Sequence, residues 1–403
     1  MNATFNIINI KFDFPFSFND YSSLLLVFFF HGIVFSALLL RKGIIYNNKA
    51  SQWLSILLFL YAMYITPFML GYAGWYSGGV TREIMFFVPF MQVLLIGPVV
   101  YFYTKSLLNI SFKLSRKDYW HFMPAVLYAI YSLVVFITDK LILDDYYFYA
   151  DERDKDLADW YQVAGLISMV SYLILSLRYY SNYRKLLFEK VSYAESILFK
   201  WIRNFMIAFL GLQILRVLFF IINPEWGNFG SQFWYYIAFS IIFYYIAITG
   251  YSNVIKQIAL EGEKLQSVNV FIDDDTEPIA FIGNSKTIEK DQSAWKAKLS
   301  ELMTEKRLFE NPRLTLSDVA KELNITTKTV SSTVNSGFNM NFNDFINHYR
   351  IEAVKEKLNK GEHTRTTLLG IALDSGFNSK ATFNRAFKKS TSLSPKDYIE
   401  NLS

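Results

Sequence analysis

Few residues in this chain are placed to do bond-making chemistry. Cysteine is absent, which excludes disulfides, thiolate chemistry and cysteine-held zinc. The histidines His31, His121, His348 and His363 are scattered, and no His/Asp/Glu group has metal-ligand spacing. No metal and no cofactor is therefore expected. The apolar runs contain no paired carboxylates and no nucleophile triad, and there is no nucleotide-binding or kinase motif, so an enzyme is not expected either. Two charge features remain. One is Arg216, ionised and well inside an apolar run. The other is a basic surplus confined to the end of the chain: residues 293–403 hold 17 Lys+Arg against 12 Asp+Glu, and the rest balances. A basic surplus on a small domain suits a polyanion partner.

The elements that must position these groups are of two kinds. Hydrophobic residues make up 52% of the chain, and nearly every long apolar run precedes residue 252. A helix needs about 20 apolar residues to cross the hydrocarbon core. Seven runs qualify, at roughly 22–40, 52–70, 84–104, 119–138, 160–177, 204–222 and 232–251. They have no amphipathic period, which argues against buried helices of a soluble core. Residues 1–21 lack the basic start of a cleaved signal peptide, so the first run reads as an uncleaved span.

Orientation follows from basic residues near the ends of the runs. Arg41, Lys42, Lys49, Lys105, Lys113, Arg116, Lys117, Arg178, Arg184, Lys185, Lys190, Lys200 and Arg203 fall on one side. Only Lys11, Arg82, Lys140, Arg153 and Lys155 fall on the other. The expected arrangement is a multi-pass protein of the cell inner membrane, N-terminus outside and C-terminus in the cytoplasm. That requires an odd number of spans. Pro67, Pro89 and Gly97-Pro98 interrupt the second and third runs, and proline bends a helix by removing a donor. The outer loop 139–159 is acidic. It reads as a solvated loop, as a cap over an outward-facing site, or as a weak cation site. Arg216 lies seven residues before Asn223, about 10 Å from the outer end. It either snorkels or pairs structurally, or it binds an anionic ligand or acidic partner.

Three regions result. Residues 1–251 form a seven-transmembrane sensor or anchor. Residues 252–292 form a cytoplasmic helix and acidic linker, with Asp273-Asp274-Asp275, Pro278 and Gly283. Residues 293–403 form a soluble, all-helical domain, so the fold class is all-α. In that domain Thr315-x-x-Asp318 is a capping box for a helix over Leu316–Leu323. Asn324-Ile325 is a tight turn, and Thr326 caps the next helix, to about Ser336. The unit then recurs. Val319-Ala320 matches Ile371-Ala372, Asn324-Ile325 matches Gly376-Phe377, and Val330 and Val334 match Phe383 and Phe387. Helix, short turn, helix is the helix-turn-helix pattern, here present twice. A longer amphipathic helix, about Asn341–Lys360, links the units. A final helix opens at Ser394-Pro395.

The stretch Phe342 to Ile351 resembles the linking helix of AraC-type (AraC/XylS) regulators. Ile371-Ala372…Gly376-Phe377…Phe383…Arg385…Phe387…Lys389, Ser394-Pro395 and Tyr398 match the same family. The likeness covers about 295–402. Ser392 stands where the family usually has glycine, and Ile399 where it often has arginine. The whole layout, with Gly97-Pro98…Tyr101-Phe102-Tyr103, looks like membrane-anchored members of that family. The resemblance implies that the second helix of each unit enters a major groove of double-stranded DNA. Its candidate contacts are Thr327, Lys328, Ser331 and Ser332 on the first, and Lys380, Ala381, Thr382 and Arg385 on the second. Arg385 suits guanine, and Lys388, Lys389 and Arg350 suit phosphate. The expected function is a one-component transcription regulator. A small-molecule or envelope signal at the membrane alters DNA binding, and a homodimer is a partner the tether favours. Membrane lipid is the other expected contact. The competing reading is a transporter or receptor whose cytoplasmic tail is a regulatory module.

Overall fold

The computed structural model describes residues 17, 19–109, 111–197, 200–224, 229–261 and 285–401. The described residues are helical throughout, apart from turns and one isolated bridge between Val191 and Thr315. The chain divides into two compact units. Met1–Tyr179 groups with Lys200–Ser267, and Tyr180–Phe199 groups with Val268–Ser403.

In the first unit α1 (Asp20–Ile45) and α2 (Lys49–Tyr72) form an antiparallel pair. Asn19 opens α1 through a capping box, and Asn48 caps α2 by accepting from Ser51 N. The pair is stitched by hydroxyls: Ser36 donates to Ser55 O at 2.9 Å, Ser55 to Ser36 O at 2.7 Å, and Ser51 to Leu39 O at 2.8 Å. Small residues that let backbones approach and hydroxyls that bond across are the usual way helices associate without a hydrophobic driving force. The acidic linker expected at 273–275 lies outside the described residues. The last apolar helix, Phe229–Glu261, continues past the predicted end of the span.

Among the described residues six helical segments are long and apolar enough to cross a membrane: Asp20–Ile45, Lys49–Tyr72, Lys117–Ile142, Asp159–Lys190, Lys200–Ile222 and Phe229–Lys256. The third expected span, 84–104, differs from the prediction. It is two helices, α3 (Gly79–Phe87) and α4 (Val93–Leu108), separated by non-helical backbone. The cause is local. Pro89 removes a donor and pushes the residue before it out of the helical region, and Val88 is extended at φ −92°, ψ 113°. At about 1.5 Å per residue α4 alone falls short of the hydrocarbon thickness. The remaining helices of this unit are α5 (Met123–Phe136), the first part of α6 (Asp159–Lys190), α8 (Lys200–Val217) and α9 (Phe229–Glu261). Short α7 (Ala194–Ile197) belongs to the second unit.

Backbone exposed by the break is satisfied from the acidic loop. Asp156 accepts from Met91 N at 2.8 Å and from the Tyr128 hydroxyl at 2.7 Å, and Tyr161 donates to Met91 O at 2.7 Å. Asp154 accepts from Tyr76 at 2.5 Å, and Asp139 accepts from Phe148 N. Three acids of the loop are thus buried ties, while Asp144, Asp145, Asp151, Glu152 and Asp159 face outward. No cluster that could hold a metal occurs among the described residues.

The second unit holds α10 (Ser285–Glu305), α11 (Leu316–Glu322), α12 (Thr327–Ser332), α13 (Phe342–Asn359), α14 (Leu368–Asp374), α15 (Lys380–Thr391) and α16 (Pro395–Glu400). It has two cores. Leu299, Met303, Phe309, Leu314, Val319, Ala320, Val330 and Val334 make the first, closed by Phe342, Phe345 and Ile346 of α13. Ile371, Ala372, Phe377, Phe383 and Phe387 make the second, closed by Ile351, Val354 and Leu358 from the other end of α13. The linking helix therefore belongs to both cores.

Burial raises the carboxyls of Asp154, to about 7, and Asp156, to about 6, and the charge of Asp156 raises Asp154 further. Both folded values lie above the unfolded one, so their contribution is complete below about pH 4 and is lost as pH rises through 6 and 7. The thermal midpoint of the full chain in detergent is expected to fall between pH 5 and 8, and Asp154→Asn to flatten that fall. Equal pH profiles for both proteins would contradict the assignment.

Candidate nucleic-acid interface

The two repeats are built alike to the level of single bonds. Thr315 and Asp318 cap α11 reciprocally, Thr326 caps α12, Thr367 caps α14 and Ser379 caps α15. In the first turn Asn324 has φ +51° and Ile325 N donates to Ala320 O at 3.0 Å. In the second Gly376 has φ +91° and Phe377 N donates to Ala372 O at 3.0 Å. The glycine is required twice over. Its φ is left-handed, and a Cβ there would overlap Phe309 O and lie 2.9 Å from Glu310 Cα. Ser392, which replaces the usual glycine after α15, has φ +62°, a conformation that glycine adopts without the cost a Cβ brings.

Most candidate contacts lie on the open faces of α12 and α15. Thr327 and Lys328 are exposed, and Ser331 and Ser332 are half-buried. Lys380, Ala381, Arg385, Lys388 and Lys389 are exposed. On α15 an open concavity is lined by Ala381, Asn384, Arg385, Lys388 and Lys389. Asn384 was not among the sequence candidates. Its position one turn after Ala381 and beside Arg385 was the available signal, and asparagine is a natural adenine reader. Lys389 pairs with Asp344, the first-turn acid of α13, at 2.7 Å.

Two sequence candidates are not on this surface. Thr382 is 3% exposed, and its hydroxyl bonds to that of Ser379, closing the cap of α15. Arg350 is 1% exposed. Its guanidinium donates to Phe309 O and Asn311 O, both at 2.8 Å, and to Asn347 Oδ1 at 3.3 Å. Burial pushes its pKa down to about 9, which leaves it cationic at neutral pH. The resemblance that made Arg350 a phosphate candidate gave no hint that tertiary packing buries it.

A second group of residues was invisible to sequence reasoning. The segment between α6 and α8 is part of this unit. Val191 bridges Thr315, and Ser192 N donates to Leu314 O at 3.0 Å. Asn343 Nδ2 donates to Ser192 O at 2.8 Å, and Arg350 donates to Ser192 Oγ at 3.0 Å. Glu195 forms an ion pair with Arg385, and the side chains are 13% and 60% exposed respectively.

Residues of this arrangement define a helix-turn-helix DNA-binding module. Residues 319–401 match the family model described as a helix-turn-helix domain. No curated protein and no solved structure matches the chain. The C-terminal part of this protein is therefore similar to a helix-turn-helix domain, and several long apolar helices precede it.

Arg385→Ala is expected to relax base preference at one position at a cost of about 1–3 kcal/mol. Arg350→Ala is expected instead to lower stability by about 3 kcal/mol or more, since buried carbonyls lose their donor. Binding to a randomised duplex pool and urea unfolding separate the two. Base preference altered by Arg350→Ala at unchanged stability would contradict the buried assignment.

Proposed function

We propose that the protein is a membrane-bound one-component transcription regulator. A signal at the membrane or its outer face changes the sequence-specific DNA binding of the cytoplasmic double helix-turn-helix domain. The N-terminus is outside and the apolar helices cross the inner membrane, with the interrupted α3–α4 segment as one of seven passages. That count agrees with the distribution of basic residues, since an even number would put the two ends on the same side. Reporters test the orientation. One fused after Ser267 is expected to read as cytoplasmic and one inserted near Asp151 as external, and the reverse pattern would overturn the reading.

The observation that carries the regulatory part is the seating of residues 191–195 within the DNA-binding unit. These residues join two apolar helices in the chain. Glu195 occupies Arg385, the best-placed base reader, so a duplex must displace it. A shift of either flanking helix acts on that segment through the backbone, and no separate messenger is needed. Truncation at 293 removes Ser192 and Glu195 together. The full chain in nanodiscs tests the idea. Glu195→Gln is expected to tighten specific DNA binding roughly tenfold, and to reduce its response to the signal. Unchanged or weaker binding would mean that Glu195 does not compete with DNA.

A further inference from the structure

Arg216 is 5% exposed and lies on α8. One arm of its guanidinium donates to Gln162 O at 2.7 Å and to Gln162 Oε1 at 2.5 Å. Gln162 in turn donates to Asp156 O at 2.5 Å, so the side chain is held at the first turn of α6. Both partners are neutral acceptors. The other arm, Nη1, has no hydrogen-bond partner.

Nη1 is not alone. Tyr61 Oη on α2 and Gln213 Oε1 on α8 are also buried without a partner. Tyr61 is 1% and Gln213 5% exposed. These two residues and Arg216 line one small cavity inside the first unit, with apolar walls from Ile96, Met169, Leu212 and Phe239. Tyr64 and Tyr235, also on its wall, bond to each other at 3.1 Å.

An unpaired donor buried in apolar surroundings costs roughly 1–3 kcal/mol, and more when it is charged. Three orphans around one void are groups that a single small occupant would satisfy. The guanidinium stays protonated at any physiological pH, so the surplus charge is positive. Arg216 Nη1 and the Tyr61 hydroxyl both donate. Gln213 also presents a donor when its amide turns over. The space is about 10 Å³, enough for one water-sized particle and too small for an organic carboxylate.

We propose that this cavity is a binding site for a small inorganic anion of halide size, held by Arg216, Tyr61 and the turned amide of Gln213. The anion compensates a cation that has no carboxylate partner among the described residues. A neutral water would fill the space and leave the charge. The site is independent of the regulatory reading, because its occupancy is measured without DNA.

The test uses the full chain in detergent, prepared in sodium gluconate and titrated with sodium bromide at constant ionic strength. The readout is the thermal unfolding midpoint followed by intrinsic fluorescence. The proposal expects a saturable rise of the midpoint with bromide. Arg216→Gln is expected to abolish it, and Tyr61→Phe to weaken the apparent affinity several-fold. Should Arg216→Gln fail to fold, Tyr61→Phe decides, because it removes a single hydroxyl. No saturable difference between bromide and gluconate overturns the proposal and assigns the cavity to water. So does the same bromide response in Tyr61→Phe. A bromide response with unaltered DNA binding upholds the site and separates it from signalling.

Discussion

The DNA-binding unit is organised around one buried cation. Arg350 projects from the middle of the linking helix, and its donors reach Phe309 O and Asn311 O ahead of the first helix-turn-helix, and Ser192 from the segment after α6. Its guanidinium also lies over the Phe377 ring at 5.8 Å, at the turn of the second unit. A cation taken out of water is costly unless its donors are satisfied, and charge-assisted bonds to carbonyls do that only in one geometry. Four segments far apart in sequence are thereby fixed to each other. Gly376 completes the arrangement, because any side chain there would push away the Phe309 carbonyl on which Arg350 depends. The separation of the two recognition helices is set by this packing and by α13, which is shared between both cores.

That hub explains why the segment 191–195 matters for the proposed function. Ser192 supplies two of the acceptors around Arg350, and Glu195, three residues on, reaches Arg385. The same short segment thus contacts the structural cation and the cation proposed to read DNA. Burial separates their roles. Arg350 is enclosed and its bonds are hard to exchange, whereas Arg385 keeps an exposed side chain whose ion pair competes with water and phosphate. An anchored end and an exchangeable end on one segment is the arrangement a tethered inhibitor needs.

Local features were legible in the sequence because they are written in neighbouring residues. The capping box at Thr315, the turn at Gly376-Phe377 and the closing Ser394-Pro395 depend on spacings of a few positions, and the structure has each. The in-register repeat fixed the two turns for the same reason. What was not legible depends on distant partners. Thr382 and Arg350 have the side chains of surface contacts, and only tertiary packing buries them. The third apolar run counts as one span by hydropathy, and Pro89 within it signals a bend and not a full break. The backbone breaks it at Pro89, and Asp156, some sixty residues later, makes the break tolerable. The acidic loop reads as solvated, as a cap or as a weak cation site because charge patterning does not tell which three of its carboxylates will meet tyrosines and backbone amides.

Charge burial follows one pattern in both units. Arg350 is held by carbonyls and a serine, Asp156 by a backbone amide and a tyrosine, and Arg216 by the carbonyl and amide of Gln162. Lys105 and Asp118 make the contrasting case, a buried pair of opposite ions at 3.7 Å. Neutral dipoles solvate a charge without cancelling it. For Arg350 the result is a fixed hub, because every direction around the guanidinium is occupied. Arg216 differs in that one arm remains open toward a cavity with two further orphan groups. A charge held this way attracts a mobile counter-ion, while one already paired with a carboxylate does not. The same device therefore gives rigidity where its coordination is complete and a binding site where it is one partner short.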